Sequence, residues 1–214
     1  MNLDNSDAIE VYLINNEFWY IDGSNRFRKF PFGGTLNQPT GLFSQTEDGN
    51  IVTNTTVKTS IIGNGIGSLN IPPKGFNVGD SFHAKLGGVM SCSQNETLDF
   101  HIESNGVVLV DSEPLELSAS TNKAWELELD FTIRDVGDAG TASIKSNGQF
   151  VHNKNGNNVY EGLTFNTLNN TTFDTNVANN LDIYLQWGSA SASNSIVCTS
   201  FVLYRTFFTL NYDI

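Results

Sequence analysis

The 214-residue chain is short of most things that would name its chemistry at once. It has only two cysteines, Cys92 and Cys198, so a disulfide scaffold is excluded and at most one bridge can form. Both lie in strand-like segments and read as buried thiols. Its three histidines, His83, His101 and His152, are scattered and fit no metal-ligand spacing such as H-E-x-x-H, so neither a metal nor a cofactor is expected. Basic residues are scarce: 11 Lys and Arg stand against 23 Asp and Glu, for a formal net charge of -12. Such a field repels nucleic acid. No apolar run approaches the roughly 20 residues of a membrane helix, so membrane insertion is not expected. The opening Met-Asn-Leu-Asp-Asn-Ser-Asp has neither the basic nor the apolar region of a signal peptide, and secretion by that route is not expected either. A G-x-S-x-G elbow is also missing, and Gly63-Asn-Gly-Ile-Gly67 lacks the third glycine and following helix of a dinucleotide loop. It reads as a turn, and the chain reads as a non-enzyme.

What the chain does have is strand pattern. From Trp125 to Ile133 apolar and polar residues alternate at every step, placing Trp125, Leu127, Leu129, Phe131 and Ile133 on one face and Glu126, Glu128, Asp130 and Thr132 on the other. A strand with one dry and one wet face belongs to an antiparallel sandwich. Further strands are predicted over residues 51–62, 68–71, 81–91, 98–103, 107–111, 141–152, 181–187 and 196–206, most of them separated by Gly, Asn, Asp or Ser. Ser104-Asn-Gly106 is a compact hairpin signal. Only residues 175–180 could hold a helical turn, too short to alter an all-β class. Near the start, two short strands over 10–14 and 17–21 joined at Asn15-Asn16 predict a hairpin. The stretch from Pro31 to Gly41, with its prolines and glycines, reads as a linker. This divides the chain into an attachment hairpin and linker, 1–41, and a β-sandwich, 42–214.

Phe43-Ser-Gln-Thr46, Asn54-Thr-Thr56, Ile62-Gly-Asn-Gly-Ile-Gly-Ser-Leu69, Phe76-Asn-Val-Gly-Asp80, Thr171-Thr-Phe-Asp174, Leu185-Gln-Trp-Gly188 and Ser195-Ile196 follow one another in an order harder to match by chance than any single piece. In these segments the chain resembles head domains of bacteriophage fibres and minor capsid or decoration proteins of large DNA viruses, over roughly residues 42–207. The resemblance implies an antiparallel jelly-roll β-sandwich with the outline of tumour-necrosis-factor and C1q heads. It implies a homotrimer in a virion, used for structure or host attachment, with other virion proteins and a host surface glycan as partners. The chain contains no collagen-like repeat or heptad stalk, so a decoration, vertex or minor capsid component fits better than a complete tail fibre.

Several residues stand out as candidate sites. Arg26, Arg28 and Lys29 place three positive charges in four residues; they could attach to an acidic partner or form a charged edge strand. The run containing Phe201, Leu203 and Tyr204 does not alternate, so the strand is covered on both faces, by the core and by a neighbouring subunit, or is a central strand under a loop. In a carbohydrate- or receptor-binding module, Tyr160 would be the exposed ring that stacks on a sugar; Trp187 continues the alternation of Leu181, Ile183 and Leu185 and belongs to the core. Asp135 and Asp138 could offer calcium ligands but fit a solvated hairpin, and Glu126 and Glu128 could resemble glycosidase acids but fit a wet sheet face. Sequons at Asn54, Asn95, Asn169 and Asn170 read as turn and strand chemistry rather than glycosylation.

Overall fold

The computed structural model of the protein describes residues 11–14, 17–21, 27–29, 39–156 and 159–207, in two compact units, Met1–Gln38 and Pro39–Ile214. In the first unit, β1 (Val11–Ile14), β2 (Glu17–Ile21) and β3 (Phe27–Lys29) form an antiparallel meander. Ile14 faces Glu17 across the first hairpin, and Ile21 faces Phe27 across the second pair.

The second unit contains β4 (Thr40–Gln45), β5 (Val52–Thr53), β6 (Thr59–Ser60), β7 (Gly65–Gly67), β8 (Asn70–Ile71), β9 (Ser81–Cys92) and β10 (Glu96–Ser104). It continues with β11 (Val107–Asp111), β12 (Leu115–Leu117), β13 (Ser120–Asp135), β14 (Ser143–Asn153), β15 (Tyr160–Asn169), β16 (Asn179–Trp187) and β17 (Ser195–Phe207). All pairings are antiparallel, in a large sheet ordered β15-β14-β13-β9-β17-β4-β7 and a smaller one ordered β11-β10-β16-β6. Because β9 passes to β10, and β16 to β17, from one sheet to the other, the chain rolls around a single core: a jelly-roll sandwich. The β14–β15 hairpin widens the large sheet beyond the roll.

Period-two alternation decides what the core contains. Trp125, Leu127, Leu129, Phe131 and Ile133 of β13 are all buried, as are Leu181, Ile183, Leu185 and Trp187 of β16. Phe100 of the small sheet meets Phe150 of the large one with ring centroids 4.5 Å apart, and Phe165 closes on Phe100 at 5.8 Å. Each such side chain removed from water contributes about 1.5–3 kcal/mol. The two buried indoles keep a hydrogen bond: Trp125 Nε1 donates to Val197 O at 3.2 Å and Trp187 Nε1 to Val52 O at 3.0 Å. Cys92 and Cys198 are free and buried, and burial pushes the Cys198 thiol up to about 11.

Turns follow the asparagines. Asn54, Asn95, Asn105 and Asn122 hold positive φ, a region their short polar side chains tolerate better than most residues do. Asn105 and Gly106 both take it, at 49° and 80°, which makes the β10–β11 connection a two-residue primed turn.

Some expectations need correction. Residues 51–62 are two short strands separated by bends, since their pairing partners lie in different sheets. Gly63–Gly67 is not a simple turn: its end forms the edge strand β7 against β4, where an added Cβ on Gly65 would lie 2.4 Å from Ser44 O. Thr40 and Gly41, expected in the linker, pair with Arg205 and Tyr204. Residues 175–180 hold no helix; Asn179 and Asn180 pair with β8.

Candidate functional site

Three strands of the large sheet build an outward surface in rows. Ala124 of β13, Val89 of β9 and Val197 of β17 form one row; Glu128, Lys85 and Val202 a second; Asp130, His83 and Tyr204 a third. Cross-strand neighbours of this kind interact directly. Lys85 Nζ lies 2.9 Å from Glu128 Oε1 and 3.7 Å from Glu126 Oε2; the bond to Glu128 raises the Lys85 ammonium above its usual range and lowers the Glu128 carboxyl. His83 Nδ1 sits 2.9 Å from Asp130 Oδ1, and its ring stacks on Tyr204 at 6.3 Å. In the second and third rows the surface therefore runs from charged residues on β13 to Val202 and Tyr204 on β17, while Thr199 and Ser200 are exposed at the β17 bulge. Glu126 and Glu128 share the single Lys85 ammonium on a wet sheet face, with side chains 58% and 33% exposed.

This geometry revises the interface prediction. Phe201 and Leu203 are buried in the chain's own core, with Phe201 packed on Phe43 at 5.3 Å, so neither is available to a neighbouring subunit. Beyond the Cys198 to Ser200 bulge the strand does alternate, and Val202 and Tyr204 are the half-buried outward residues. Arg26 lies outside the described residues, as do the side chains of Arg28 and Lys29.

Tyr160 opens β15 at the margin of the large sheet and is 69% exposed. Two depressions meet at its ring. One, of about 250 Å³, includes Glu126, Val151 and Asn153; the other, of about 310 Å³, includes Gln149, Gly162 and Thr164. The strand that carries it was missed in the sequence, although Leu163 and Phe165 mark a period of two and Asn155-Gly156 a turn before it.

Beneath this groove a serine, a histidine and an acid converge, again without sequence warning. Ser120 Oγ is 3.3 Å from His152 Nδ1, whose Nε2 is 3.4 Å from Glu161 Oε2. Ser120 is 2% exposed, and its hydroxyl lies 3.2 Å from the carbonyls of both Ser118 and Asn153. A nucleophile needs room for a carbonyl carbon, which Ser120 lacks. Burial lowers the His152 pKa, while burial of Glu161 is outweighed by bonds from Ser118 N at 2.8 Å and Oγ at 3.2 Å, leaving its carboxyl below its usual range. The cluster is a lock between the β12–β13 corner and the β14–β15 hairpin.

Other singled-out residues are also locks. Asp135 accepts from Ser143 Oγ at 3.0 Å and Asp138 from Asn176 Nδ2 at 2.6 Å. Among the described residues, no three His, Cys, Asp or Glu are grouped so as to hold a metal ion. Asn169 accepts from the backbone of Thr171, Thr172 and Phe173 and donates to Val108 O, the turn role expected of it. Several segments of the viral resemblance sit at corners too. Gln45 donates to Cys198 O at 3.0 Å and accepts from Gly63 N at 2.9 Å; buried Asp80 accepts from Asn77 N at 2.8 Å and pairs with Arg205; Phe173 and Trp187 are core. No family model matches the chain, and no curated protein is significantly similar to it.

Proposed function

We propose that the protein is a non-enzymatic structural component of a virus particle, in which residues 1–41 are the attachment segment and the jelly roll is a trimerising head. The observation that carries this reading is the set of outward apolar residues Val89, Val197, Val202 and Tyr204 in the middle of the large sheet, interrupted on β17 by Thr199 and Ser200 at the bulge. Apolar residues grouped at the centre of a wide sheet's outer face offer a surface for a neighbour to cover. Phe201 and Leu203 hold β17 from inside, leaving the other face for closure around a threefold axis. The jelly-roll order and the corner positions of the resembling segments support the same reading.

Sedimentation equilibrium of the full chain tests it. A mass of three 23.5 kDa chains is expected, with particles carrying the subunit in stoichiometric amount by mass spectrometry. A chain that remains monomeric at high concentration overturns the trimer.

A further inference from the structure

We propose that the groove beside Tyr160 is a binding subsite for a neutral, hydroxyl-rich glycan chain. The site stands on its own geometry and does not depend on a viral origin or on trimerisation. Tyr160, Gly162 and Thr164 occupy successive outward positions of edge strand β15, and all three are exposed. The ring therefore stands beside bare backbone. No side chain fits at Gly162, where a Cβ would lie 2.0 Å from Phe150 O, so the groove floor stays open along the sheet.

The chemistry around that floor suits sugar hydroxyls. An exposed aromatic face packs against the C–H face of a pyranose, covering apolar surface on both. Glu126 on one side of the ring offers carboxylate acceptors, and Gln149 and Thr164 on the other offer both donors and acceptors. A few polar groups converging on an apolar platform is the usual composition of a small-molecule site. Charge selects among glycans. The chain carries -12 overall, so sialylated or sulfated chains are disfavoured while neutral ones are not. The two depressions meeting at Tyr160 give room for more than one sugar residue, which fits a chain rather than a monosaccharide.

The test is a glycan array probed with the full-length protein, followed by NMR titration with its strongest neutral hit and with heparin as the anionic control. Binding of a neutral oligosaccharide is expected, with shifts at Tyr160, Gly162 and Gln149. Tyr160→Ala should weaken it about threefold to tenfold, the scale of one aromatic contact, with the unfolding midpoint unchanged; Tyr160→Phe should retain it. Four results would each overturn the proposal: no neutral glycan bound, preference for heparin, shifts confined to another surface, or a Tyr160→Ala variant that binds as well as the parent.

Discussion

The two flanks of the large sheet's outer face differ although they share strand β9. Toward β13, His83 and Lys85 meet Asp130 and Glu128; toward β17 the same two residues meet Tyr204 and Val202. One flank spends its cross-strand contacts on charge neutralisation in water, where ion pairs contribute about 0–1 kcal/mol. The other leaves apolar surface unused. The asymmetry is the ground on which the proposed subunit contact is placed on the β17 flank.

The largest effect separates this face from the one beneath it. Leu127→Ala, on the core side of β13, should cost about 2–5 kcal/mol in urea unfolding, whereas Glu126→Ala on the wet side should stay within about 0.5 kcal/mol. Equal costs would mean that β13 is covered on both faces. Next, Val202→Asp should weaken self-association about a hundredfold by sedimentation, because a charge would be buried without a partner, while Glu128→Gln on the other flank leaves it unchanged. If both variants associate like the parent, the apolar set is not the contact.

Charge held inside the sandwich should behave unlike charge on its face. Burial of Glu96 opposes its ionisation, but bonds from Asn194 Nδ2 at 2.7 Å, Ser189 Oγ at 2.6 Å and the backbone of Thr97 and Ser189 prevail and lower its pKa. A lowered carboxyl adds stability that is fully present above its unfolded value of about 4.3. That contribution disappears as pH falls through the lower folded value. Glu96→Ala should cost about 1–3 kcal/mol at neutral pH, through the donors it strands, and should flatten the acid limb of denaturation midpoints taken from pH 6 to 3. Smallest of all, Lys85→Ala, on the solvated flank, should leave the midpoint unchanged in high salt. A loss as large as that of Glu96→Ala would mean the charged flank is buried in an assembly.

Much of the framework was legible. The alternation in β13 and β16 named their buried residues, and Asn105-Gly106 named its turn, because each depends only on neighbours along one strand. The candidate surfaces were far less legible. Tyr160 could be chosen as an exposed ring, but β15 beneath it was missed: Gly162 interrupts the strand pattern, and its reason for being there, the close approach of Phe150 O, lies on another strand. Phe201, Val202, Leu203 and Tyr204 are apolar or aromatic throughout, so their pattern does not say which of them face the core; only the packing of Phe201 and Leu203 inside the sandwich decides it. The Ser120, His152 and Glu161 cluster spans three strands and has no local signature.

By itself, then, the sequence determined the all-β class, the strands with one wet face and the asparagine turns, since side-chain direction along a strand is a local property with a period of two. Tertiary structure decided which strands lie side by side. Pairing and register join residues as far apart as Lys85, Glu128 and Val202, and that alone created the charged flank, the apolar set and the groove at Tyr160.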